Sequence, residues 1–178
     1  MFEFLKTIIL FFEENNIPYM LSGSMAMSVY TGPRYTRDFD FIVNLKQESI
    51  SPLIAYFKEG YYCDEDAVKE AISNKTMFNI IDHKSNYKAD FVILKHEPFR
   101  KEEFSRRTRV DFQELEIFLV TAEDLLLSKL IWIQELQSGL QMEDIRQLNR
   151  IKNLDRGYIN QWISALRLNT FELLNNND

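Results

Sequence analysis

A single cysteine, Cys63, in 178 residues excludes an intramolecular disulfide and any cysteine-rich metal centre. Two histidines, His83 and His96, are too few to suggest a histidine-based zinc centre. The chain also lacks a long apolar run. Its most hydrophobic start, Phe4 to Phe12, is interrupted by Lys6 and followed by Glu13 and Glu14. That stretch is too short and too broken to span a bilayer, and it has neither a basic leader nor a small-residue cleavage site. A cytoplasmic location with no membrane partner is the expectation. Positive charge is in deficit too, with a formal net charge of −6. General nucleic-acid binding modules carry a basic footprint, so the balance argues against one. Arg100, Lys101, Arg106, Arg107 and Arg109 form a local basic run, whose plain reading is a solvated loop or an edge strand.

What is present is an ordinary globular composition, 46% hydrophobic and 27% charged, in a length that buries a good core. Residues 2–15 carry apolar positions at helical spacing and end before Pro18. Tyr19-Met20-Leu21 reads as a short buried strand. Ser24 is placed to N-cap a helix over 25–30, and Thr31-Gly32-Pro33 breaks it. Residues 37–43 read as a second strand and 47–58 as a helix, with a short helix over 66–73. Residues 77–81 and 87–94 read as paired strands joined by the turn His83-Lys84-Ser85-Asn86. Residues 106–112 and 116–120 read as a hairpin or edge pair. Helices follow over 121–136, opened by a capping box at Thr121-Ala122-Glu123-Asp124, then over 142–151 and 155–168, before an Asn-rich tail that should fray. The pattern predicts an α/β (α+β) fold, a mixed central sheet flanked by helices, with a core over 1–120 and an α-helical C-terminal extension over 121–178.

The stretch from Ser22 to Val43 carries the chemistry. On a strand Asp38 and Asp40 point to one face, while Phe39 and Phe41 point to the other. Adjacent carboxylates repel unless a cation sits between them, and Mg²⁺ is typically held by one or two carboxylates plus substrate phosphates. Gly23 and Ser24, at a helix start, can offer backbone N–H groups and a hydroxyl to a phosphate. The plainer alternative makes Asp38 and Asp40 strand-end residues paired with Arg34 and Arg37. A third acid, Asp90, sits in an otherwise apolar strand, where a carboxylate is costly unless paired or metal-bound. Asp82 competes with it but lies at a strand end in a polar turn. Arg34 and Arg37 can neutralise a triphosphate or form structural ion pairs, and Thr36 can satisfy strand-end backbone groups. Trp132 and Trp162 read as core residues.

The Gly-Ser pair, the helix and the following Asp-x-Asp resemble the signature of the nucleotidyltransferase superfamily, the DNA-polymerase-β-like fold. The interval filled by Arg34-x-Thr36-x-Asp38-x-Asp40 resembles the branch of abortive-infection and toxin–antitoxin nucleotidyltransferases. It is also similar to minimal and some aminoglycoside-modifying members. The resemblance covers roughly residues 15–130 and implies a mixed sheet of the nucleotidyltransferase type. It implies Asp38, Asp40 and Asp90 as catalytic, metal-binding carboxylates for Mg²⁺ or Mn²⁺. It also implies Gly23, Ser24, Arg34, Arg37 and Lys129 as contacts for a nucleoside triphosphate. Lys129 follows the acidic pair Glu123-Asp124 as in that branch, although the residues by themselves make it a snorkelling lysine on an amphipathic helix. Asp144 is the nearest match to a further acid in some relatives. The implied reaction moves a nucleoside monophosphate to a hydroxyl on a tRNA 3′ end, a protein or a small molecule. An antitoxin partner is a further implication, and a catalytically silent binding module is the alternative.

Overall fold

The computed structural model describes residues 1–33 and 35–175. Helix α1 (Phe2–Glu14) leads into β1 (Tyr19–Ser22), α2 (Gly23–Thr31) and β2 (Asp38–Val43). A 3₁₀ turn, Gln47–Ser49, precedes α3 (Ile50–Tyr56). The helix expected over 47–58 therefore starts later. Pro52 has no N–H to donate and is tolerated only in a first turn. Then come β3 (Tyr61–Cys63), α4 (Glu65–Asn74), β4 (Met77–Asp82), β5 (Lys88–Ile93) and α5 (Pro98–Ser105). The chain closes with β6 (Thr108–Phe112), β7 (Leu115–Leu119), α6 (Ala122–Ile133), α7 (Gly139–Asn149) and α8 (Arg156–Leu166).

The seven strands form one mixed sheet in the order β3-β4-β5-β2-β1-β7-β6. β2 runs parallel to β5 and β1 parallel to β7, and the remaining neighbours are antiparallel. The α/β fold with a mixed sheet thus agrees with the sequence. Two elements had not been anticipated. β3 is three residues long, too short to show a period. α5 lies in the basic run read as a loop or edge strand, and its signal is Pro98 in the first turn, a position proline favours.

One face of the sheet is closed by aromatic packing. Phe39 and Phe41 of β2 point to that face and meet Phe4 and Phe12 of α1 at ring-centroid distances of 6.0 and 5.6 Å. Phe91 of β5 stacks on Phe41 at 5.6 Å. All five rings are nearly inaccessible to solvent, and each Phe→Ala change there would cost about 3–5 kcal/mol. Strand alternation then forces Asp38, Asp40 and Ile42 onto the opposite face, and the burial of β2 alternates accordingly.

Above that opposite face lies α6, packed against α2, α7 and α8. Its start is fixed by Thr121, whose Oγ1 accepts from the Asp124 N–H at 3.2 Å and donates to the Asp124 carboxylate at 2.6 Å. No described helix is long and apolar enough to cross a membrane.

The arginines of the basic run do not form a patch. Arg106 pairs with buried Asp124 at 3.1 Å and lies over the Tyr158 ring at 3.8 Å. Arg107 stacks on Phe104 and Phe118. Arg109 pairs with Glu116 and Glu13. Their charges are used to fasten α5 and the β6–β7 hairpin to the body of the fold.

Candidate active site

A cleft of about 440 Å³ opens between the exposed face of β2 and β5 and the helix α6. Gly23, Ser24, Asp38 and Asp40 line one part of it, with Thr36 at the edge. Ser128, Lys129 and Trp132 of α6 line the opposite wall, and Arg100 and Glu103 of α5 also border it. Four of the residues singled out in the Gly-Ser and Asp-x-Asp segments, together with Lys129, are therefore brought to one cleft. Arg37 and Asp90 do not line it. Arg37 is turned to Tyr35, whose hydroxyl its Nε reaches at 2.6 Å. Arg34 lies outside the described residues.

The strand-to-helix turn is tighter than the sequence suggested. Ser22, not Ser24, stands at the N-cap, and α2 begins at Gly23 with φ +59. The helix expected over 25–30 therefore begins two residues early, after a left-handed turn that glycine permits at Gly23. The Ser24 N–H points at Asp40 Oδ2, 3.4 Å away. A Cβ built on Gly23 would collide with the Asp40 carboxylate and lie 2.7 Å from the Asp40 Cβ. Backbone and carboxylate are thus pressed together.

Asp38 is half-exposed, whereas Asp40 is largely enclosed. Burial pushes the Asp40 carboxyl up from its ordinary range. The Ser24 N–H opposes that shift, the charges of Asp90 and Asp38 add to it, and Lys129 opposes it from across the cleft. Asp90 stands beside Asp40 in the parallel register of β2 and β5. It is 9% exposed, and its Oδ1 is buried without a hydrogen-bond partner. Its Oδ2 accepts an ion pair from Lys88 Nζ at 2.8 Å, and the same ammonium lies 3.9 Å from Asp38 Oδ1. Among the described residues, no three carboxylate, histidine or cysteine side chains are arranged as a ready metal cage. Lys88 stands between two of the three acids. Asp82, the competing acid, instead accepts from the N–H groups of Lys84 and Ser85 and holds the β4–β5 turn.

Lys129 is buried on α6 rather than snorkelling. Its Nζ donates to Asp144 Oδ2 and Gln141 Oε1, both at 2.8 Å. Asp144, whose role the sequence left open, is thereby placed as the lysine's partner. Trp132, expected in the core, is 47% exposed and faces the cleft. Trp162 does pack inward, with its ring 5.2 Å from Phe99.

Sequence reasoning missed three further residues. Glu103 is fully buried, accepting from Arg100 at 2.8 Å and from the Ser128 hydroxyl. Burial raises its carboxyl from the ordinary range against the pull of Arg100 and Ser128. Arg100 also donates to Ser128 at 2.6 Å. The third is Lys88, whose signal was its position two residues before Asp90, on the same face of the strand.

No family model matches the sequence, and no curated protein matches it. Solved structures do. The solution structure of the antibiotic-resistance factor ANT(2'')-Ia aligns with a TM-score of 0.57 at 14% identity, covering 92% of this chain and 89% of that one. The crystal structure of ANT(2'')-Ia in complex with adenylyl-2''-tobramycin gives 0.61 at 12% identity, covering 93% and 95%. The lincomycin-bound lincosamide antibiotic adenylyltransferase LnuA gives 0.50 at 16% identity, covering 83% and 96%. At such identities the likeness is one of fold. The chain has a nucleotidyltransferase-type fold.

Proposed function

We propose that the protein is a metal-dependent nucleotidyltransferase. It would bind a nucleoside triphosphate in the cleft and move the nucleoside monophosphate to a hydroxyl acceptor, releasing pyrophosphate. The observation that carries this reading is the contact of Gly23 and Ser24 with Asp40, which puts the Gly-Ser turn at the start of α2 against a cleft-facing carboxylate pair. The fold shared with ANT(2'')-Ia, solved with adenylyl-2''-tobramycin, and with the lincosamide antibiotic adenylyltransferase LnuA supports it.

Asp38 and Asp40 are the residues that would hold Mg²⁺ or Mn²⁺, with Asp90 as the third acid of the centre. The unpartnered Asp90 oxygen and the raised Asp40 carboxyl fit an acidic centre short of positive charge. Bound there, the cation would neutralise the triphosphate and the charge developing on the leaving pyrophosphate. The Gly23–Ser24 turn and Ser24 hydroxyl bind phosphate oxygens, and Lys129 adds a positive charge from α6. Arg34 and Arg37 are proposed as outer contacts to the triphosphate. In the transfer the acceptor oxygen bonds to the α-phosphorus. The bond to the pyrophosphate oxygen breaks with its electron pair, and the hydroxyl proton passes to water.

Thermal melts with each of the four nucleoside triphosphates, with and without Mg²⁺, test the first half. A rise in Tm that needs both components is expected, because a ligand that binds the native state stabilises it. Triphosphates labelled at the α-phosphate, offered with RNA, protein and small hydroxyl compounds, test the second half. If triphosphate binds with metal but no acceptor takes the label, the catalytically silent module is the correct reading. If no triphosphate shifts the melt at millimolar concentration with metal, the nucleotide reading fails.

A further inference from the structure

β2 and β5 run parallel with Asp38 opposite Lys88 and Asp40 opposite Asp90. Four charged side chains therefore occupy a two-by-two array on the open face of the sheet. Three corners are carboxylates and the fourth is an ammonium. A fourth acid at that corner would leave the array without any counter-charge. Lys88 instead donates to Asp90 at 2.8 Å, within the range of a charge-assisted hydrogen bond, and lies 3.9 Å from Asp38.

Asp40 lies against Gly23, and its Oδ2 is reached by the Ser24 N–H. The space that a cation shared by Asp38 and Asp90 would fill holds the Lys88 ammonium. The lysine side chain is 37% exposed, so its charge is only partly withdrawn from solvent.

We infer that Lys88 supplies the second positive charge of the site. The protein then takes one divalent cation, at Asp38 and Asp40, where a two-metal centre would take two. Asp90 serves to position Lys88 and is not a ligand to a second metal. The inference rests on the nucleotidyltransferase reading. The ammonium acts as a fixed charge, donating hydrogen bonds and exchanging no proton.

The test counts Mn²⁺ by equilibrium dialysis and electron paramagnetic resonance, on folded protein in excess over a non-hydrolysable triphosphate analogue. The wild type should bind one isolated ion per bound analogue. Lys88→Gln frees the space between Asp38 and Asp90, so it should bind two ions whose spectra show coupling, as expected for metals about 4 Å apart. A coupled pair in the wild type overturns the inference, and so does a single ion in folded, analogue-binding Lys88→Gln. If that variant does not fold, the wild-type count decides by itself. Failure of the wild type to bind the analogue with Mn²⁺ would instead refute the nucleotide reading, a distinguishable result.

Discussion

The Cα of Gly23 lies so close to Asp40 that no side chain fits between them. An added Cβ would overlap the carboxylate. Gly23 also has φ +59, which costs a non-glycine residue roughly 1–2 kcal/mol. Gly23→Ala should lower stability by at least that amount and displace Asp40. Triphosphate-dependent stabilisation should fall much further than the Tm itself. Paired melts, with and without magnesium and triphosphate, check this. A variant that melts lower yet binds as well as wild type would show that the contact does not serve the site.

Asp40→Asn should abolish transfer without weakening the fold. Burial and the charges of Asp90 and Asp38 disfavour the Asp40 carboxylate, and an amide removes both penalties while still accepting from the Ser24 N–H. The Tm should stay equal or rise. A marked drop with activity retained would mean that Asp40 is a structural anion.

The buried Lys129–Asp144 pair separates packing from ligand binding. Removing one partner of a buried pair costs about 3–5 kcal/mol, because the other charge is left uncompensated. Asp144→Asn and Lys129→Met should each lose stability. Combining Lys129→Met with Asp144→Leu should regain part of it, yet leave the triphosphate-induced rise in Tm small. Full recovery of that rise in the double variant would make the pair purely structural.

Glu103 sets a pH dependence. Its folded carboxyl is raised by burial above the unfolded value of 4.5, despite Arg100 and Ser128. The folded state therefore favours the protonated form. The stability this contributes is present below the unfolded pKa and is lost as pH rises through the folded one. Glu103→Gln removes that loss, so its stability relative to wild type should improve as pH rises above 4.5. Denaturant midpoints of both proteins from pH 4 to pH 8, on a common scale of about 1.4 kcal/mol per pKa unit, check the sign. A difference that stays constant across the range would contradict it.

The sequence by itself determined which face of β2 carries the acids, because strand alternation is local and the phenylalanines between the aspartates need burial. It determined Thr121 as a helix start, since a cap acts within one turn. It also marked Asp90 as an acid out of place in an apolar strand. It did not reveal α5, whose arginines and glutamates resemble a solvated run until Glu103 is seen under α6. It misplaced Trp132 because a helix packed on several neighbours leaves little periodic trace of its open side. The partners of Lys88, Lys129 and Arg100 were decided only by tertiary structure. Each is a long flexible cation with no local preference for a carboxylate. The parallel register of β2 and β5 brings Asp38 to Lys88, and the packing of α6 on α7 and beside α5 brings Asp144 to Lys129 and Ser128 to Arg100.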